Sequence, residues 1–65
     1  MGDMSVYKVR YGCFNLVIEI RGGEFVAHVE RALSRDRVGE VVKAPSFDEA
    51  VMSAKLEALR LSELA

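Results

Sequence analysis

The residue types that most often carry out catalysis are scarce in this 65-residue sequence. His28 is its one imidazole and Cys13 its one thiol. Nucleophilic catalysis needs such groups within hydrogen-bond reach of each other, together with a third group that orients the base, and the sequence shows no arrangement of this kind. We interpret His28 as a solvent-facing strand residue and Cys13 as a small buried or strand-end residue, and we expect no enzymatic activity.

Metal and phosphate sites are not indicated either. A single cysteine excludes an intrachain disulfide and a cluster of thiolate ligands. Asp48 and Glu49 are explained as acidic residues at the start of a helix, where the helix dipole favours negative charge. The Gly22-Gly23 pair lacks the spacing and the following helix of a phosphate-binding loop. We therefore expect no metal ion and no cofactor.

Basic residues are concentrated in the middle of the chain, at Arg31, Arg35, Arg37 and Lys43. Such side chains can contact phosphates, and a tyrosine such as Tyr7 or Tyr11 on an open sheet face could stack on a base. Acidic residues are interleaved with them, and the net charge of the chain is −1, so no global basic field exists. This segment is a solvated loop, a nucleic-acid contact or a contact with an acidic protein.

The strongest local pattern is a helix predicted in the last third of the chain, from Pro45 to Ala65. Ser46 can cap it, because its side-chain oxygen can accept from the amide of Glu49 while the Glu49 carboxylate reaches back to the amide of Ser46. No glycine or proline follows up to Leu64, and good helix formers dominate.

This helix has two apolar sides instead of one. The broader side should cover a sheet, and its members are Phe47, Ala50, Val51, Ala54, Ala58 and Leu61. Met52, Leu56 and Leu59 form a second stripe on nearly the opposite side. Clustered exposed apolar side chains tend to mark an interface, so we predict that the second stripe contacts another copy of the chain. The alternative is three scattered surface residues that need no explanation.

Alternating polar and apolar residues predict the strands. They cover Leu16 to Arg21, Glu24 to Glu30 and Gly39 to Ala44, and a polar loop from Arg31 to Val38 separates the last two. Ser5 to Tyr11 is either a separate strand or the start of one long strand that is bent at Gly12.

The Gly22-Gly23 pair predicts a two-residue hairpin turn. Such a turn fixes the register of the two strands, so that the numbers of two paired residues add up to 45. Three apolar pairs then share one face, Leu16 with Val29, Ile18 with Ala27 and Ile20 with Phe25. On the other face Arg21 meets Glu24 as an ion pair, and Val17 meets His28.

These patterns predict one small α+β domain over residues 1–65, with an antiparallel sheet of three to four strands and a C-terminal helix packed across one face. The length is in the range where a single core gives marginal stability, which association would relieve. No targeting signal or stretch long enough to span a membrane is apparent. The lone cysteine fits a reducing cytoplasm.

The run from Gly22 to Val29, followed by Ser46 to Ala50 and then by Ala54-Lys55 and Ala58-Leu59, resembles the small domain of HicB-like antitoxins. The resemblance implies a fold of three strands and a helix, assembly into oligomers and masking of a ribonuclease toxin. Three strands followed by a helix are also similar to parts of double-stranded-RNA-binding domains and of plant ethylene-response factors.

The function predicted from the sequence is non-catalytic protein interaction. We expect a homodimer or higher homo-oligomer, held through the Met52, Leu56 and Leu59 stripe or through the open face and edge of the sheet, and no membrane association. The alternative is a small nucleic-acid-binding domain that uses Arg31, Arg35 and Arg37 with residues of the sheet face.

Overall fold

The computed structural model describes residues 5–64, and the side chains of residues 5–63. Within this range the chain forms a four-stranded antiparallel sheet with one helix on it, and the strands lie side by side in chain order. Their bounds are β1 Ser5–Tyr11, β2 Phe14–Arg21, β3 Glu24–Arg31 and β4 Arg37–Ala44, followed by α1 Phe47–Leu64. The predicted α+β fold is confirmed, with four strands. Residues 1–4 and 65, which the predicted domain included, lie outside the described residues.

The N-terminal segment is a separate strand. Gly12 and Cys13 form a two-residue turn, so that Tyr11 pairs with Phe14 and β1 runs antiparallel to β2 as far as the pair Ser5 and Ile20. Cys13 is exposed in this turn. It therefore lies at a strand end and is not buried.

The second turn is the predicted Gly22-Gly23 hairpin. Both glycines have positive φ, +50° and +83°, which residues with a side chain adopt only at a cost. The register between β2 and β3 is the predicted one, with Ile18 opposite Ala27. The turn residues therefore set which side chains of both strands face the helix.

The predicted loop from Arg31 to Val38 is too long. In the structure the loop covers only residues 32–36, because β3 continues through Arg31 and β4 begins at Arg37. Arg37 pairs with Glu30, and the Arg31 amide donates to the Asp36 carbonyl over 2.9 Å. The residues at these strand ends are polar, so the alternation of apolar residues used to predict the strands did not extend to them.

The helix begins where its cap predicts. The Glu49 amide donates to Ser46 Oγ over 3.3 Å, while the reciprocal bond from the Ser46 amide to the Glu49 carboxylate does not form. The helix packs on β2, β3 and β4. It reaches β1 at its first turn, where the rings of Phe47 and Tyr7 meet edge to face with centroids 5.0 Å apart.

The core lies between the helix and the sheet face that it covers. Leu16, Ile18 and Val29 are its largest fully buried side chains. Small residues complete it, namely Ala27, Ala44, Ala50, Ala54 and Ala58, and Phe25, Phe47, Val38, Val51 and Leu61 pack around its border. The helix face and the hairpin face predicted from the sequence therefore meet as expected.

Candidate interaction surfaces

The fully buried residues on the inner side of α1 are all alanines. Ala50, Ala54 and Ala58 are at most 2% exposed and lie over the buried aliphatic side chains of β2 and β3. Since alanine has only a methyl group, its helix can approach a sheet closely. The close approach fills the core without large side chains from the middle of the helix.

The outer side of α1 carries large apolar residues that the fold does not cover. Met52, Leu56 and Leu59 are 58%, 60% and 46% exposed. Their spacing of i, i+4 and i+7 aligns them along one side of the helix. The structure thus places the three predicted interface residues together on an exposed surface, which we call the outer stripe.

A shallow hollow of about 360 Å³ borders the outer stripe at its N-terminal end. It lies between the helix and the end of β4, and Met52, Pro45 and Ser53 contribute to its walls. Lys43 and Glu49 also line it. The hollow thus combines an apolar side chain with one positive and one negative group.

Glu57 links the side of α1 that faces β4 to that strand by a hydrogen bond. Its Oε2 accepts from the Glu40 amide over 3.0 Å and from Arg60 Nη2 over 2.6 Å. These hydrogen bonds, that of Arg60 first, lower the pKa of Glu57 below its ordinary value. Gly39 allows the Glu57 carboxylate to lie this close to β4, because a Cβ at this position would overlap that carboxylate. The φ of Gly39 is +76°.

A second cavity, of about 540 Å³, lies at the other end of the molecule. It is open to solvent between the turn of β1 and β2, the loop after β3 and the last turns of α1. Its apolar walls come from Phe14, Leu33, Val38 and Leu61, with Cys13 and Arg31 beside them. We call it the loop-end groove.

Leu33, at the tip of the loop, is 96% exposed. The loop around it is hydrogen-bonded: the Ala32 amide donates to the Cys13 carbonyl over 3.0 Å, and the Arg35 amide donates to the Arg31 carbonyl over 2.8 Å. Leu33 is therefore exposed on an ordered turn at the rim of the loop-end groove.

The sheet face away from the helix contains a buried carboxylate. Glu30 is a buried residue whose Oε2 lies 3.2 Å from Asn15 Nδ2 and 3.3 Å from Lys8 Nζ. Burial alone would raise the pKa of Glu30, but the hydrogen bonds from Asn15 and Lys8 outweigh it and the pKa is lowered. Three neighbouring strands are thereby joined across this face.

Val17 lies on this face opposite His28, as predicted, and is only 3% exposed. One prediction for this face needs correction. The Arg21 guanidinium pairs with Glu19, with Nη2 and Oε1 2.8 Å apart, and not with the predicted partner Glu24. Residues two apart on a strand share a face, so Glu19 can replace the cross-strand partner.

His28 lies beside Val17 in the register and is half-buried. Burial, and then the positive charge of Arg37, lower the pKa of His28 below its ordinary value of 6.5. Cys13, in the turn before β2, lies four residues before Val17, which corresponds to roughly 13 Å of nearly extended chain. The structure therefore does not bring the one thiol and the one imidazole together.

The predicted basic residues do not form one surface. Arg31 and Arg37 belong to opposite sides of the sheet, because Arg31 follows the alternation of the helix-facing residues and Arg37 is paired with Glu30 on the other face. Lys43 lies six residues further along β4, roughly 20 Å away. Arg35 is exposed in the loop with a φ of 63°.

Within residues 5–64, no group of three or more His, Cys, Asp or Glu side chains is placed to hold a metal ion. The one helix of the described chain is not apolar enough to cross a membrane. No protein-family model, curated protein or solved structure matches this chain.

Sequence reasoning missed the loop-end groove and the buried Glu30. The groove combines three segments that are distant in the chain, so no local pattern could show it. A signal for Glu30 did exist, because the predicted register pairs Asn15 with Glu30. The position of Lys8 required the pairing of β1, which the sequence left open.

Proposed function

We propose that this chain is a non-catalytic protein-interaction module that self-associates through the outer stripe of α1. One observation carries the proposal: the helix buries its alanines and leaves Met52, Leu56 and Leu59 about half exposed. Fully burying such a side chain contributes about 1.5–3 kcal/mol. Pairing these side chains would therefore stabilise a small domain whose single core supplies little stability.

A second copy is the partner that best suits this surface. The i, i+4 and i+7 spacing gives a straight apolar seam, and a two-fold axis would set the same seam of another copy against it. The hollow beside Met52 also suits a second copy, because it is lined by one positive residue, Lys43, and one negative residue, Glu49. An identical surface turned by a two-fold axis would carry the complementary charge for each of them. The contact would be apolar at its centre and polar at its rim.

A HicB-like antitoxin role is the narrower form of this proposal. It is supported by the resemblance in the hairpin at Gly22 to Val29 and in the helix from Ser46, and by the order of strands followed by a helix. In that role the self-associated domain would also mask a ribonuclease toxin. Inhibition of such a ribonuclease by the purified chain would test it separately from self-association.

The experiment that tests self-association is sedimentation equilibrium over a range of concentrations, on the wild type and on Leu56→Glu. We expect the wild type to be a dimer or larger. Leu56→Glu should raise the dissociation constant of this contact at least about tenfold, or about 1.4 kcal/mol, because a carboxylate would be buried without a partner.

Lys55→Gln is the matched control. It changes the net charge by the same one unit on the neighbouring position of the helix, outside the outer stripe, and should leave the mass unchanged. Circular dichroism verifies that all variants are folded. A wild type that stays monomeric at every concentration, or a Leu56→Glu variant that associates as the wild type does, would contradict the outer-stripe contact.

Nucleic-acid binding through Arg31, Arg35 and Arg37 is less well supported by the structure. These residues belong to different faces and to the loop, and Asp36 lies between them. Binding through phosphates weakens steeply with salt, whereas an apolar contact does not. Retention on nucleic acid that is lost as salt rises would therefore identify this alternative.

A further inference from the structure

We propose that the loop-end groove is a second self-association contact, in which Leu33 of one copy inserts into the groove of another. The inference rests on the self-association proposed above and adds a surface at the far end of the helix from Met52. Its occupant is a second copy of this chain.

Leu33 is the projecting part of this contact. It is the most exposed large hydrophobic residue of the described chain, at 96%. The hydrogen bonds of Ala32 to Cys13 and of Arg31 to Asp36 hold the turn that carries it. Because the backbone of the turn is already held, inserting this side chain would cost little backbone conformational entropy.

The groove is the receiving part. Phe14, Val38 and Leu61 provide apolar walls around a space of about 540 Å³, which is within the range of about 300–1,000 Å³ found for pockets that enclose small molecules. The groove therefore has room for a leucine side chain. Filling it would cover the exposed edge of the core at Phe14 and Leu61.

The projecting and receiving parts belong to the same patch. A two-fold axis through such a patch places each Leu33 in the other copy's groove, which gives two identical insertions in one closed contact. A foreign partner would have to supply a matching leucine and a matching groove. A second copy already carries both.

The charges around the groove favour the same arrangement. On the loop side, Arg31 and Arg35 outnumber Asp36. On the helix side, the last turn of α1 has no basic residue, carries Glu63 and ends in the negative pole of the helix dipole. The two-fold rotation sets the basic loop of one copy against the acidic helix end of the other.

Two different self-complementary surfaces on one chain produce assemblies larger than a dimer. With the outer stripe as one contact and the loop-end groove as the other, we expect dimers at low concentration and larger assemblies as concentration rises.

The test is sedimentation equilibrium of the full chain as wild type, Leu33→Asp, Leu56→Glu and the double variant, each verified as folded by circular dichroism. Leu33→Asp should raise the dissociation constant of the groove contact at least tenfold. Each single variant should retain one contact and form dimers, and the double variant should be a monomer.

A charge exchange tests the orientation. Arg35→Glu and Glu63→Arg should each weaken the groove contact several-fold, because each places like charges across the two-fold axis. The double variant Arg35→Glu with Glu63→Arg should recover most of the wild-type association. Failure of the double variant to recover any association would overturn the proposed orientation of the two copies.

The outcomes separate the two proposals. If Leu56→Glu disrupts all association and Leu33→Asp disrupts none, the groove contact is overturned while the outer-stripe contact stands. If Leu33→Asp alone disrupts association, the groove contact is supported and the outer stripe is not the interface. A wild type that is monomeric throughout overturns both.

Discussion

The two sides of α1 differ in the size of the residues that are fully buried and of those that are exposed. Its inner side buries Ala50, Ala54 and Ala58, whereas its outer side exposes Met52, Leu56 and Leu59. Large apolar residues more commonly face the core. The difference shows that the fold uses the alanines for close approach on one side and leaves three large apolar side chains on the other, where they can contact a partner.

The largest loss of stability is expected when a residue on the inner side of α1 is enlarged. Ala54→Leu should lower the free energy of unfolding by about 1–3 kcal/mol, because added methyl groups in a packed core force side chains and backbone apart. Urea unfolding at low protein concentration, followed by circular dichroism, measures the change.

Lys55→Leu is the control for this substitution, since it adds the same side chain at the next, exposed position. Its stability should stay within about 0.5 kcal/mol of the wild type. Equal losses for the two variants would show that the inner side is no more tightly packed than the outer one.

A smaller effect is expected where Gly39 lets the helix approach β4. Gly39→Ala should lower the free energy of unfolding by about 1–2 kcal/mol, because the left-handed conformation at this position is costly for a residue with a Cβ. The added methyl group also crowds the Glu57 carboxylate. Chemical unfolding of the variant and the wild type measures the loss.

Gly39→Asn separates the two causes, because asparagine tolerates the left-handed conformation but crowds Glu57 in the same way. It should cost less than Gly39→Ala. If the two variants lose the same stability, crowding of Glu57, and not the backbone conformation, is the dominant cause.

The smallest effect concerns the sheet face that the helix does not cover. Because burial and Arg37 lower the pKa of His28, the unfolded chain binds a proton more readily than the folded one. The titration of His28 therefore has no effect on the free energy of unfolding well above pH 6.5, and it lowers that free energy as the pH falls below 6.5.

Urea unfolding of the wild type and His28→Gln between pH 7.5 and pH 5 measures this dependence. The wild type should lose stability on acidification relative to the variant. Glu30, whose pKa is lowered from an ordinary value of 4.5, loses its stabilising contribution only at lower pH, so the two windows are distinct. Parallel curves for the two proteins would contradict the assignment to His28.

The sequence predicted the features that depend on neighbouring residues. The helix, its cap at Ser46 and its two apolar sides follow from spacing within a few turns. The hairpin register follows from Gly22 and Gly23, since a two-residue turn leaves one pairing. These local constraints were sufficient for the fold class and for the position of the outer stripe residues.

Features that combine distant segments could not be predicted in the same way. The start of β4 at Arg37 was missed because polar strand ends do not alternate with apolar residues. The loop-end groove joins Phe14, Leu33 and Leu61, which lie far apart in the sequence. The burial of Val17 depends on the side chains of both neighbouring strands, and therefore on the position of β1.

The order of the strands also has a consequence for the folding rate. Each strand pairs with the next one along the chain, and the connections contain two, two and five residues. Closing such short loops costs little chain entropy, and proteins dominated by contacts between sequence neighbours cross a low barrier. The sheet can therefore start to form from either two-residue hairpin, and the helix, which follows the four strands in the chain, has a partly assembled surface on which to dock.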